Sequence, residues 1–321
     1  MPQANTNSSN AIQHALRRPW LGYLLAIVVT AVAVRYISGD WDRLRNMAFA
    51  ASNWLPPLAL IVVSNLLARA YLLGKLSREA ATPIGWGECL CLMAASNMLS
   101  MLTLPATGIA YRAVYLSRRN SLPVAALVAG TSLFALTGLL AWSVLGMASL
   151  ASLGLRSSES NRPALLFLLA SLMAILGGGV TYRLLSHFAA RTPSRVQRFA
   201  EQCSATIRSR RLMTSSVLAM ASCAVVQAWG FHLAFRSFVL PLAPAGSTAI
   251  AAFHQVSGIV GITPGAVGVQ EGSALLVATS LGIEMTTMLT VLALVRTART
   301  GLSVLIGVPC WWCLGARGRV M

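Results

Sequence analysis

Acidic residues are scarce in this chain. Of its 321 residues only 8 are Asp or Glu, and only 4 are His. Acid–base and metal-dependent hydrolysis need clustered carboxylates and imidazoles, and no H-E-x-x-H or G-x-S-x-G pattern occurs. Lysine is nearly missing too: Lys75 is the single one, and no G-K-[ST] ending completes a Walker-type phosphate loop. Cysteine is present in 6 copies, but the one C-x-x-C spacing, Cys310 and Cys313, flanks Trp311 and Trp312 at the end of an apolar run. No second pair and no His cluster completes a zinc site, so these cysteines read as packing residues. Gly177-Gly178-Gly179 has no polar partner after it and reads as close helix packing. No catalytic residues, no metal and no cofactor are therefore expected, and the chain reads as a non-enzyme.

What the chain does have is apolar length. Hydrophobic residues make up 56% of it and charged residues 10%, with a mean hydropathy of +0.69. Several apolar runs reach the roughly 20 residues that cross a bilayer as a helix. The net charge of +17, from 25 Lys and Arg, would also suit nucleic acid. Nucleic acid is excluded as a partner because the positive residues sit mainly in short loops between apolar runs, where they orient a membrane protein. The first apolar run lacks a small-residue cleavage site before Arg35, so it reads as a retained helix and not a signal peptide.

The runs predict an all-α, polytopic transmembrane helix bundle of about six to eight membrane helices. Spanning helices are expected over 20–37, 54–73, 122–150, 163–185, 212–240 and 286–313, with tryptophans anchoring the last at the interface. Segments 84–104 and 245–262 lead into breaks, and 271–281 is too short to span. Basic loops fix the orientation: the loop 183–211 holds seven arginines against Glu201 and belongs in the cytoplasm. Arg17, Arg18, Lys75, Arg78, Arg118, Arg119, Arg317 and Arg319 join it, while Arg43, Arg45, Arg156 and Arg162 fall outside. Segment 84–117 then begins and ends inside, and segment 245–282 begins and ends outside. Two re-entrant or broken hairpins entering from opposite faces make an inverted repeat, as in many secondary transporters. Two ordinary helices kinked at proline are the alternative.

The breaks carry the polar residues. Thr263-Pro264-Gly265-Ala266-Val267-Gly268-Val269-Gln270-Glu271-Gly272 is Gly-rich, holds one carboxylate, and precedes a run containing Arg296 and Arg299. The earlier break, Pro105-Ala106-Thr107-Gly108, precedes Arg112, and the Pro-to-charge spacing is seven in both halves. Gly265 and Gly268 permit backbone approach and positive φ, and amides at a half-helix start attract anions. A charge at membrane depth needs compensation. Glu271 paired with Arg296 either locks the fold or orders Arg296 and Arg299 to grip a lipid phosphate, for which the planar guanidinium fork is suited. Arg112 is the matching candidate from the other half, with snorkelling to the interface as its alternative. His254 and Gln255 are candidates to line a cavity, and a packing hydrogen bond is the alternative for His254. Arg69, Asn97 and His232 are weaker candidates.

At these residues the chain resembles a known family. Pro264-Gly265-x-x-Gly268-x-x-Glu271, the following Leu281-Gly282-Ile283, and Arg296 look like the signature of the transmembrane region of lysylphosphatidylglycerol synthase, which also defines a family of flippase-like polytopic proteins. Leu104-Pro105-x-x-Gly108-x-x-x-Arg112, Arg118 and Leu122-Pro123 are similar in the first half. The chain departs from the pattern near 107–110, where the family often carries an acid or a second glycine. The resemblance covers roughly 20–313 and implies a polytopic domain with re-entrant helices that moves lipids across a bilayer. Relatives handle aminoacylated phospholipids or polyisoprenoid-phosphate sugars, and in the synthase a soluble transferase domain follows. Here the chain ends at Met321, so the resemblance implies transport without synthesis.

The expected organisation is a polar cytoplasmic N-terminus over 1–19, a flippase-like transmembrane domain over 20–313 and a short basic cytoplasmic tail over 314–321. The expected function is movement of an anionic lipid across the bacterial inner membrane, with Arg112, Arg296 and Arg299 holding the headgroup phosphate. The expected partners are membrane lipids with phosphate headgroups. The alternative is a non-transporting accessory subunit of a lipid- or glycan-modifying enzyme. The sequence leaves the lipid, the coupling ion and the oligomeric state open.

Overall fold

The computed structural model describes residues 52–103, 105–119, 122–153, 171, 201, 203, 205, 206, 208–238, 240, 242–258 and 268–318. The spans expected over 20–37 and 163–185, the N-terminal segment and Gly265 lie outside the described residues. Among the described residues there are eight α-helices and no strands. We label the helices α1 (Leu55–Glu79), α2 (Trp86–Leu102), α3 (Pro105–Arg119), α4 (Val124–Ser152), α5 (Arg210–Ser237), α6 (Pro244–Ser257), α7 (Val269–Ser280) and α8 (Met285–Gly318). Helices α1, α4, α5 and α8 are long and apolar enough to cross a membrane. Helices α2, α3, α6 and α7 have 17, 15, 14 and 12 residues. At about 1.5 Å per residue none of those four reaches through a hydrocarbon core about 30 Å thick.

Proline and short polar residues set the helix starts. Pro56 and Pro57 open α1 and Pro244 opens α6, where a missing N–H costs nothing. The Ser209 side chain accepts from the Leu212 N–H at 3.2 Å and caps α5. Arg78 ends α1 and Arg118 and Arg119 end α3, complementing the negative helix ends.

Contacts fix the relative directions of the hairpin helices and of α1, α5 and α8. Helices α2 and α3 fold back on each other as an antiparallel hairpin: Ser96 Oγ donates to the Gly108 carbonyl at 2.8 Å, and Tyr115 donates to Glu88 at 2.8 Å. Helices α6 and α7 do the same, with Ser273 Oγ on Ser257 Oγ at 2.7 Å and Gly246 packed toward Leu281. Helix α5 runs antiparallel to α1, because Gly230 lies against Pro57 and Ile61 while Cys223 lies beside Ser64 and Arg69. Helix α8 runs antiparallel to α2, since Asn97 Nδ2 donates to Ser303 Oγ at 3.0 Å and Gly307 packs on Ala94 and Met98. The first hairpin therefore enters from the face where α1 ends, and the second from the face where α5 ends. Each sits between a spanning helix before it and one after it. The inverted pair expected from the loop charges is the arrangement the contacts give.

Two apolar cores follow this plan. One surrounds the second hairpin, with Leu58, Ile61, Phe231, Phe235, Phe253, Val277 and Val295 fully or nearly fully buried. The other surrounds the first, with Leu72, Leu73, Leu92, Leu116, Leu133 and Leu314. Leu302 of α8 packs against both. Leu305 and Trp312 are 72% and 74% exposed, a load of open apolar surface that water would reject and lipid accepts.

The hairpin turns are tight. A Cβ on Gly108 would lie 2.1 Å from Ser100 Oγ and 2.3 Å from the Ser96 carbonyl. Gly108→Ala is therefore expected to spread α2 from α3 and to cost about 1–3 kcal/mol. Gly272→Ala, where a Cβ meets nothing within 4 Å, is expected to be neutral or to stabilise α7 by about 0.5–1 kcal/mol. Thermal melts in detergent micelles compare the two; equal melting shifts would refute the close-packed hairpin.

Candidate functional site

The second break closes on its own carboxylate. Gly268 takes a positive φ of 84°, a region that favours glycine, and it starts α7. Its N–H donates to Glu271 Oε2 at 2.7 Å. The other carboxylate oxygen, Oε1, accepts from Arg296 Nη1 in a close ion pair. Glu271 thus fastens the start of α7 to the middle of α8. The direct pairing expected from the sequence is present, and it takes one arginine of the two.

Arg299 is the other arginine, and its surroundings differ. It is 8% exposed, and its Nε has no hydrogen-bond partner. His254 of α6 is 4% exposed, and its Nδ1 is also without a partner. His254 feels the charges of Arg299 and Arg296, and its ring lies against Phe231 at 5.7 Å between centroids. Two buried polar atoms left open beside each other are rare in a packed interior, where most such groups are bonded. Position on α8 explains the setting: Arg299 falls between Val295 of one core and Leu302, which touches both.

Arg112 is linked to this group through Arg69. It is 7% exposed. Its partners are weak and neutral, the Gly108 carbonyl and Met93 Sδ, each at 3.4 Å. Arg69 of α1 acts electrostatically on both Arg112 and Arg299. Unlike them, Arg69 is exposed. A polar chain links the two sides of the cluster. Gln255 donates to Gln227 Oε1 at 3.0 Å, and Gln227 donates to Cys223 Sγ at 3.0 Å. Cys223 in turn sits beside Arg69.

The structure therefore brings together Glu271, Arg296, Arg299 and His254, with Gly268 at the start of α7, while Arg112 and Gln255 connect to them only through Arg69. It adds Arg69, which the sequence marked as a weak candidate, and Gln227 and Cys223, which it did not mark. A polar residue facing inward from an otherwise apolar helix was the available signal. Asn97 bonds to Ser303 and fastens the first hairpin to α8. His232 lies elsewhere: it bonds to Ser247 at 3.0 Å and lines an apolar groove of about 480 Å³ between α4, α5 and α6. Glu88, also unmarked by the sequence, receives Tyr115 and pairs with Arg119 at 3.2 Å, clamping the open end of the first hairpin.

The equal Pro-to-charge spacing does not carry into equal helix positions. Helix α3 begins at Pro105, so Arg112 stands in its third turn, whereas α7 begins at Val269, so Glu271 stands in its first. A first-turn acid can bond to the helix-start N–H; a residue two turns further on cannot.

The arrangement can bind an anion. The acid neutralises Arg296, and the buried Arg299 beside it keeps an unfilled donor in a low-dielectric setting. A family model described as the lysylphosphatidylglycerol synthase TM region matches residues 20–307. No curated protein and no solved structure matches the chain.

Proposed function

The chain belongs to the lysylphosphatidylglycerol synthase TM region family, and from that premise we propose that it carries an anionic lipid across the inner membrane. It is a multi-pass membrane protein of a lipid-related family, and its site is built for a negative headgroup. The observation that carries this reading is Arg299, a buried arginine with an open donor beside an ion pair that is already closed. A buried charge with an unfilled donor costs stability, and a cargo anion that takes that donor accounts for it. Arg112 and Arg299 hold the phosphate, Arg296 and Glu271 fix the geometry of the second hairpin, and the two hairpins expose the site to alternate faces.

The test is transport in proteoliposomes. The purified protein is expected to move fluorescent phosphatidylglycerol, phosphatidic acid or a polyisoprenyl phosphate between leaflets above the empty-vesicle background. If none moves, the chain acts as an accessory subunit of a lipid- or glycan-modifying enzyme and the transport reading falls.

The loop charges support a cytoplasmic position for the face where α1 ends. In a background freed of native cysteines, Glu79→Cys is expected to react with an impermeant maleimide only from the cytoplasmic side. Ala243→Cys, at the start of α6, is expected to react only from the outside. Labelling of both from one side would overturn the opposed hairpins.

A further inference from the structure

The groove between α4, α5 and α6 has a volume of about 480 Å³ and shares no lining residue with the buried arginines. Along α5 its wall is Val225, Trp229 and His232, spaced four and three residues apart and so on one face of the helix. Val225 and Trp229 are each 56% exposed, which leaves the groove open on its side. Leu145 and Ala148 line it from α4. Its serines are spent on their own helix: Ser149 donates to the Leu145 carbonyl at 2.7 Å and Ser152 to the Ser149 carbonyl at 2.8 Å. His232 Nδ1 bonds to Ser247 Oγ at 3.0 Å, and Ser247 donates to the Pro244 carbonyl at 2.9 Å. That tie joins α5 to α6 and holds the groove in shape. A hydrocarbon chain can therefore lie along this wall without breaking any of these bonds.

Length and charge identify the occupant. The wall from Val225 to His232 is seven residues, about 10 Å at 1.5 Å per residue. That is about a third of a hydrocarbon core about 30 Å thick, too short a seam for a spanning helix of a partner. It fits within one leaflet, about 15 Å deep, whose chains run in the same direction as α5. Arg236 follows His232 by four residues, on the same side of α5 and one turn nearer its end. It is exposed, and no carboxylate pairs with it among the described residues. We propose that the groove seats one acyl chain of an anionic phospholipid from the leaflet at which α5 ends, with the lipid phosphate on Arg236. A single guanidinium matches the single charge of a phosphatidylglycerol head, whereas a choline head brings a cation beside it. This lipid is a bound component of the protein and not its cargo, so the site stands whether or not the chain transports.

The experiment uses the full chain in phosphatidylcholine nanodiscs doped with phosphatidylglycerol or phosphatidylcholine brominated on the acyl chain. Bromine quenches nearby indoles, and the share due to Trp229 is the quenching lost in Trp229→Phe. Brominated phosphatidylglycerol is expected to quench that share at a mole fraction about fivefold lower than brominated phosphatidylcholine, the preference one basic side chain gives near a membrane surface. Arg236→Gln is expected to abolish the preference, and Arg236→Lys, which keeps the charge, to retain most of it. Ala148→Phe fills the groove from an exposed position and is expected to abolish the preferential quenching although Arg236 is intact. An unchanged melting temperature checks that each variant folds. Equal quenching by the two lipids would make Trp229 ordinary lipid-facing surface and overturn the site. A preference that survives Arg236→Gln would overturn the phosphate contact, and one that survives Ala148→Phe would overturn the groove as the seat of the chain. Absence of Trp229 quenching by either lipid would also overturn the site, and cross-linked dimers through Trp229→Cys would then give the groove to a second copy of the chain.

Discussion

Arg296→Ala is expected to be the most damaging single change in the second half of the molecule. It removes the partner of Glu271 and leaves that carboxylate in a low-dielectric site with only the Gly268 N–H. Breaking a buried pair from one side costs about 3–5 kcal/mol. The side chains of Arg296 and Glu271 are 27% and 16% exposed, so the lower end, about 3 kcal/mol, is expected. Glu271→Gln should cost less, because the amide oxygen can still accept from Gly268 and Arg296 keeps partial access to solvent. The double variant Arg296→Gln/Glu271→Gln should recover a large part of the loss, giving a coupling of about 1–3 kcal/mol in a thermal double-mutant cycle. Additive single effects would show that the ion pair is incidental to the fold. Transport per folded molecule separates the roles. If Glu271→Gln lowers stability and leaves transport intact, the pair is a lock. If it leaves stability intact and abolishes transport, the carboxylate tunes the cargo site.

Arg299→Met is expected to do the opposite to stability and more harm to function. The side chain is buried with an open donor, and it stands between two apolar cores at Leu302. An apolar replacement of similar length relieves the desolvation cost, and stabilisation of about 1–3 kcal/mol is expected from analogous replacements of buried charge. The same variant should lower lipid movement in proteoliposomes by about tenfold or more, since at least one charge-assisted contact to the cargo is lost. A rise in melting temperature together with a loss of transport is the signature of a residue kept for function at the expense of the fold. A fall of more than about 1 kcal/mol would make Arg299 structural and would remove the observation on which the proposed function rests.

These two arginines show what the sequence can and cannot reveal. Their spacing of three residues places them on one side of α8, and from that alone both look like partners for Glu271. At 3.6 residues per turn they are nevertheless about 60° apart around the axis. That angle is enough to aim Arg296 at the second hairpin and Arg299 toward His254 and the meeting of the two cores. Which one is satisfied depends on how α6, α7 and α8 pack, and no local pattern encodes it. Arg69 was obscured for a related reason. A single arginine in an apolar helix reads equally as an interface anchor, and its membership of the cluster depends on α3 and α8 passing close by.

The spanning helices were legible because bilayer thickness imposes a length on apolar runs, and α1, α4, α5 and α8 obey it. The hairpins were legible because proline and glycine interrupt those runs, and the loop charges then force each interrupted pair to return to its starting face. Register inside the hairpins was not. The matched spacing from proline to charge suggested equivalent positions, but α7 begins beyond its proline and α3 begins on it. Helix start is decided by caps, here by Gly268 and Glu271, and a proline marks only the neighbourhood of a start.

The shortness of α6 and α7 also bears on how the chain is made. With 14 and 12 residues, neither can settle across a bilayer on its own as it leaves the ribosome. They have to wait beside α5 for α8, which is synthesised after them. Glu271 enters the insertion machinery 25 residues ahead of the arginine that neutralises it. During that interval the acid lacks its ion-pair partner, a costly state in lipid. The ion pair can therefore form only after the final span has been made. A nascent chain halted before α8 lacks the arginine that neutralises Glu271 and holds two helices too short to span.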